Sequence, residues 1–162
     1  MKSLVWFRND LRMDDNPALR YACTHSNEVH CLYIYSPEQF KIHNESNCKI
    51  EFLIENLKSL EKSLNKLNIP LTIIFSDGFF DIPNKILEII KDRSITNVLW
   101  NNQFGQNEEE RDKNVAKILE NQNIDHISFN DQVVFSPGEF KTIEGKPYSV
   151  FTPFKKRWIE NF

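Results

Sequence analysis

Two polar segments concentrate the side chains able to recognise a small molecule: Arg8-Asn9-Asp10-Leu11-Arg12 and the run from Asn101 to Glu108. In the first, Arg8, Asp10 and Arg12 alternate in sign. Such a loop either lines a ligand or is locked by ion pairs, which are specific but add little stability. In the second, Asn107 and Glu108 stand together at the opening of an acidic helix. A carboxylate accepts two donors presented on one planar edge, and a carboxamide adds a donor and an acceptor for orientation. The competing role is local: Asn107 as a helix N-cap and Glu108 as a first-turn acid at the positive end of the dipole. Neither segment carries Gly-x-Gly-x-x-Gly or a Walker loop, which disfavours an ordinary dinucleotide or P-loop site.

Other chemistries find less support. Cys23, Cys31 and Cys48 never pair as Cys-x-x-Cys and read as reduced thiols of a cytosolic protein, with no basic neighbour to activate one. His25, His30, His43 and His126 show no metal spacing, so no metal site is expected. Lys155, Lys156 and Arg157 form either a small phosphate patch or a solvated helix face. The net charge of −3 gives no reason for nonspecific nucleic-acid binding. No apolar run is long enough to span a membrane. Met1-Lys2-Ser3 leads straight into Leu4-Val5-Trp6-Phe7 without a small-residue cleavage site, so no secretory leader is read and a cytoplasmic location is expected. At 162 residues the chain can bury a core without metal or disulfide staples.

The elements that must position these loops alternate regularly. Apolar, strand-like runs occupy residues 3–8, 29–35, 71–75, 97–101 and 125–129. Asn16 and Pro17 read as an N-cap and first helical position of a helix reaching His25. A long helix follows Ser36-Pro37, with Ile50, Leu53, Leu57, Leu60, Leu64 and Leu67 in steps of 3, 4, 3, 4 and 3 on one face. Further helices are expected over residues 81–93 and 107–122. This alternation predicts an α/β fold, a Rossmann-like, doubly wound, five-stranded parallel sheet with helices on both faces. Ligands of such sheets sit beyond the carboxyl ends of the strands, where strand order reverses, and the first and fourth strands exit into the two polar segments.

Trp6-Phe7-Arg8-Asn9-Asp10-Leu11-Arg12 with Asp15-Asn16-Pro17-Ala18-Leu19 resembles the opening signature of the photolyase/cryptochrome family. The resemblance continues through Ser36-Pro37, His43-Asn44, Asn107-Glu108, Arg111-Asp112 and Tyr148-Ser149-Val150-Phe151-Thr152-Pro153-Phe154, in the family's order and spacing, over essentially the whole chain. It implies the amino-terminal α/β domain of a cyclobutane-pyrimidine-dimer photolyase of the folate-antenna type. The cofactor implied here is 5,10-methenyltetrahydrofolate. FAD, damaged DNA and the repair chemistry belong to a helical domain expected to lie beyond Phe162, so no catalytic residue is expected in this chain. Asn107 and Glu108 match the folate-binding pair, and a carboxylate suits the two-donor edge of a pterin. His43 and Asn44 match the loop flanking that site. The resemblance also offers the Arg8, Asp10 and Arg12 loop as the lining of a deazaflavin or flavin antenna in other branches. Phe104 stands where many relatives carry Tyr, and Gly105 leaves no side chain beside the pair.

Residues 1–135 are thus expected to form the antenna-binding domain and residues 136–162 the start of a linker. In the latter, Phe151, Phe154, Trp158 and Phe162 recur at steps of 3, 4 and 4 as an aromatic stripe. A fully exposed stripe would be unusual for a soluble monomer, so it is expected to pack partly on this chain and partly on a further domain. Two alternatives stand beside the photolyase reading. One is a cryptochrome-type blue-light photoreceptor, the other a stand-alone nucleotide-binding α/β protein.

Overall fold

The extended backbone of Asn16 lets its side chain accept from the Leu19 backbone N–H at 3.0 Å, while Pro17 takes the first helical position. This cap opens α1 (Pro17–His25) in the computed structural model, which describes residues 1–162. Around it run β1 (Lys2–Phe7), β2 (Glu28–Tyr35), α2 (Pro37–Ile42), α3 (Asn47–Asn65) and β3 (Leu71–Phe75). Then come α4 (Ile82–Arg93), β4 (Asn97–Asn101), α5 (Gln106–Asn121), β5 (Asp125–Phe129) and α6 (Phe151–Asn161). The five strands form one parallel sheet in the order β3-β2-β1-β4-β5. The expected doubly wound architecture is the one observed.

The order follows from how the helices bury their apolar faces. Ala18, Leu19 and Ala22 of α1 and Leu57, Leu60 and Leu64 of α3 pack with Val5, Phe7, Cys31 and Leu99 on one face of the sheet. Ile82, Ile86 and Ile90 of α4 and Val115 and Leu119 of α5 pack with Leu4, Leu32, Val98 and Trp100 on the other. Each fully buried large apolar side chain contributes about 1.5–3 kcal/mol, so both layers are needed. The chain therefore winds outward from β1 to β3 on one side, crosses back, and winds outward from β4 on the other.

The long helix does not follow Ser36-Pro37 directly. Pro37–Ile42 forms a separate short helix, and Asn44 takes a left-handed backbone at φ 49° that ends it. Ser46 then caps α3, its Oγ accepting from the Lys49 N–H. The apolar stripe is also not uniformly buried. Leu57, Leu60 and Leu64 enter the core, Ile50 and Leu53 are half-buried beside a cavity, and Leu67 lies past the helix end, 56% exposed. The start of α5 is corrected too. Gly105, extended at φ −75° and ψ 145°, is the N-cap, and Asn107 sits inside the first turn and does not cap it.

By its internal contacts the chain divides into Met1–Asp131, which contains the sheet, and Gln132–Phe162. The second unit is organised by its own aromatics. Phe135 meets Phe140 at 4.7 Å and Trp158 at 5.4 Å, while Tyr148 and Phe140 approach Phe154. Phe154 and Trp158 are half-buried, whereas Phe151 and Phe162 are 71% and 81% exposed. No helix of the chain is long and apolar enough to cross a membrane.

Candidate functional site

The strand order reverses between β1 and β4, and the side chains just past their carboxyl ends carry the polar chemistry. Arg8 is the first residue beyond β1 and is buried. Its Nη1 donates to Asp112 Oδ1 at 3.4 Å, and its Nη2 donates to the Asn101 carbonyl at the end of β4. Arg111, also buried, donates to the same Asp112 oxygen from Nε at 2.9 Å and Nη2 at 2.8 Å, and to Gln103 Oε1 at 2.8 Å. Two guanidiniums thus converge on one carboxylate oxygen. Burial pushes Arg8 down to about 10 against the pull of Asp112 and Asp10, which leaves it charged at neutral pH.

Asp10 and Arg12 have a different task. Asp10 Oδ1 accepts from the Arg8 backbone N–H at 2.8 Å, and Oδ2 accepts from Asn101 Nδ2 at 2.6 Å. Asn101 Nδ2 also reaches Asn16 Oδ1 at 2.9 Å, and its Oδ1 accepts from the Ala18 N–H at 3.2 Å. Asp10 and Asn101 therefore fasten the loop to the start of α1. Arg12 points elsewhere, to the Asp15 carbonyl at 2.8 Å and Asp131 at 2.6 Å. In this loop Arg12 is ion-paired to Asp131, whereas Asp10 is held by hydrogen bonds.

Between the polar cluster and the α2–α3 segment lies a cavity of about 200 Å³. It is smaller than the roughly 300–1,000 Å³ that encloses a drug-sized ligand, and its size is that of a single ring system. Glu108, Arg8 and His43 all line it, although they come from three separate segments. Asn107 and Asn44 do not line it, and both are exposed. Helical geometry explains the first: Asn107 and Glu108 are adjacent residues on α5 and point about 100° apart. The left-handed turn at Asn44 separates it in the same way from His43.

Several lining residues were given no site role from the sequence, although Trp6, Gln103 and Arg111 lie in its quoted motifs: Gln103, Arg111, Phe40, Phe79, Tyr33 and Trp6. Arg111 was within reach, three residues beyond Glu108 and thus on the same helical face. The aromatic contributions were not, because nothing local distinguishes an aromatic residue facing a cavity from one facing the core. Arg111 also lies over two of these rings, 4.9 Å from the Trp6 centroid and 4.9 Å from that of Phe79, and Arg8 lies 4.5 Å from Trp6. Chemically, the site offers two partly buried carboxylates, Glu108 and the Lys49-paired Glu45, with three carboxamides, the His43 imidazole, two guanidiniums and aromatic walls. That set suits a flat heteroaromatic ring with a donor edge.

Comparison with known proteins places this geometry. A family model for DNA photolyase matches residues 3–162. Deoxyribodipyrimidine photo-lyase of Escherichia coli (strain K12) is 37% identical over 158 residues, covering 97% of this chain and 33% of that protein. The enzyme of the same name from Buchnera aphidicola subsp. Acyrthosiphon pisum is 37% identical over 161 residues, covering 99% of this chain and 33% of that one. Among solved structures, a bacterial class III photolyase from Agrobacterium tumefaciens superposes with a TM-score of 0.75 at 26% identity, covering 96% of this chain and 31% of that one. An archaeal photolyase from Sulfolobus tokodaii, described with two FAD molecules, shares the fold with a TM-score of 0.78 at 24% identity, over 97% of this chain and 34% of that one. The chain spans about a third of the length of these relatives and matches their amino-terminal α/β domain. With the sheet order, the crevice at the strand reversal and a match running from Ser3 to Phe162 all in agreement, this chain belongs to the DNA photolyase family.

Proposed function

We propose that this chain is the light-harvesting domain of a deoxyribodipyrimidine photolyase, and that its cavity holds the ring of a 5,10-methenyltetrahydrofolate antenna. The observation that carries the reading is the meeting of Glu108, His43 and Arg8 in one cavity at the strand-reversal point of a chain matched end to end by the family. The donor set fits a pterin. Glu108 supplies the accepting carboxylate, and Gln103, whose Oε1 is held by Arg111, retains its amide NH₂ as a donor. When bound, such a ring supplies absorption in the near-ultraviolet and blue.

The chain's own residues do positional work. Asp112, Arg8 and Arg111 fix the floor of the cavity, Asp10 and Asn101 fix the loop above β1, and Glu108 sets the orientation of the ring edge. In this reading residues 1–135 are the antenna domain and residues 136–162 begin the linker to a helical FAD domain. That domain carries out the carbon–carbon lyase chemistry on pyrimidine dimers in DNA, in the cytoplasm. Asn107 and Asn44, exposed beside the cavity, are proposed as rim contacts to the folate tail. A cryptochrome-type photoreceptor is the second reading, favoured by 30% identity to Cryptochrome-2 of Arabidopsis thaliana over 159 residues.

Titration of the chain with 5,10-methenyltetrahydrofolate, followed by the emission of the bound ligand, tests the antenna reading. Saturable binding that is lost in Glu108→Ala is expected. Binding of FMN with no binding of the folate would move the assignment to a flavin-type antenna over the Arg8 loop.

A further inference from the structure

An indole gives up an electron without losing a proton more readily than a neutral phenol does, and Trp6 stands in the wall of the cavity. Its ring is 1% exposed and carries the guanidinium carbons of Arg8 and Arg111 at 4.5 and 4.9 Å from its centroid. A second indole, Trp100, meets it edge-on at 6.1 Å and has no guanidinium over its own ring. Taking the cavity as an antenna site, this places an electron donor against a light-absorbing ring. An electron leaving Trp6 for the excited ring would leave an indole radical cation and return in the dark, with the excitation lost as heat. Passage of the positive hole to Trp100 would prolong the loss.

We propose that Arg8 and Arg111 suppress this loss by holding two positive charges over the indole, so that Trp6 becomes a poor electron donor and the antenna keeps its excitation. The physics is Coulombic. An indole radical cation would form next to two guanidiniums that share one carboxylate, a cluster of net positive charge, in a buried setting where such repulsion is weakly screened, while the neutral indole is attracted to the cations above it. The two cations are held in place by the single oxygen of Asp112 and, for Arg8, by the Asn101 carbonyl. They therefore cannot swing away as surface arginines do. The inference rests on the antenna reading, and its test separates the two.

The chain and its Arg111→Met, Arg111→Lys and Arg111→Met/Trp6→Phe variants are saturated with 5,10-methenyltetrahydrofolate or, separately, with FMN, and the emission lifetime of the bound probe is recorded. Arg111→Met should shorten the lifetime by about half or more, Arg111→Lys should leave it near the parent value, and the double variant should restore it. Equal lifetimes in all four proteins, or a shortened lifetime that persists without Trp6, would overturn the shielding role while leaving the antenna site standing. Failure of both probes to bind the parent chain would overturn the antenna reading and the shielding role together. A ligand-free measurement accompanies these. In voltammetry of a Trp100→Phe/Trp158→Phe background Trp6 is the only indole, its wave is identified as the one that Trp6→Phe removes, and Arg111→Met should lower its oxidation potential where Arg111→Lys does not. An unchanged potential would overturn the proposal, and Arg111→Gln, which keeps a donor for Asp112, serves in place of Arg111→Met should that variant not fold.

Discussion

The carboxylate of Glu108 folds back over Gly105, in the space where any larger residue at 105 would place its Cβ. Gly105 is needed here for close approach, since its φ of −75° is open to every residue. The glycine therefore leaves room for this conformer of Glu108 at the cavity wall, and a Cβ there would push the carboxylate to another. Glu108→Ala should lower 5,10-methenyltetrahydrofolate affinity by about tenfold or more, the loss of a charge-assisted hydrogen bond worth about 1.5–3 kcal/mol. The melting temperature should barely move, because one first-turn acid contributes only about 0.3–1 kcal/mol. Gly105→Ala should weaken binding with Glu108 still present. Calorimetric titration and thermal melts check both, and unchanged affinity with a clear loss of stability would reduce Glu108 to a helix-start residue.

Asp112 is the shared acceptor of two buried cations, so its removal should be costly. Asp112→Ala leaves Arg8 and Arg111 without their common carboxylate, and breaking such a buried arrangement destabilises by about 3–5 kcal/mol. Arg12→Ala removes an ion pair whose arginine is 42% exposed, and should cost about 1 kcal/mol or less. Urea unfolding of the two variants should separate them clearly. Similar midpoints would show that the cluster at Asp112 is not a structural anchor.

The three thiols should react in two classes. Cys23 and Cys48 are exposed, whereas Cys31 is fully buried in the sheet and burial pushes its thiol far up. Iodoacetamide at pH 8 should modify Cys23 and Cys48 in the folded chain, and Cys31 only with urea present. Peptide mapping by mass spectrometry reads the sites. Modification of Cys31 in the native chain at the rate of Cys48 would contradict the packing of β2.

Alkali should destabilise the fold with a definite slope. Above about pH 9 the unfolded chain loses the Cys31 proton that the folded chain retains. From pH 10 the unfolded chain also loses the Tyr33 proton, which burial retains in the fold until about pH 12. Arg8 acts oppositely above about pH 10, where the folded state releases a proton that the unfolded state keeps. The folded state thus holds the larger share of these protons, and unfolding free energy should fall as pH rises from 9 to 12. Urea midpoints at half-unit intervals measure the slope, and a flat profile would mean that Cys31 and Tyr33 are solvated.

The alternation of apolar strands and amphipathic helices was legible because each helix buries one stripe and each central strand is apolar on both faces. Boundaries were legible where a side chain makes the cap, as at Asn16. They were misplaced where backbone conformation decides, as at Asn44 and Gly105. Glu108 and His43 came from the family resemblance, and the structure brings both to one cavity. The partners of Arg8 were hidden in the sequence because Asn101 and Asp112 are 93 and 104 residues away, and no local pattern reports such a pairing.

Those separations have a kinetic consequence. The polar floor is closed by hydrogen bonds spanning 83 to 104 residues, which join the start of the chain to β4 and α5. Loop-closure entropy must be overcome before such contacts stabilise anything, so they belong to the late stages of folding. A chain with only β1, α1, β2 and β3 in place has a hydrophobic layer but no Asp112 for Arg8 and no Asn101 to hold Asp10. Ligand capture in a refolding experiment would therefore report completion of the whole sheet, and would lag the burst of helix formation.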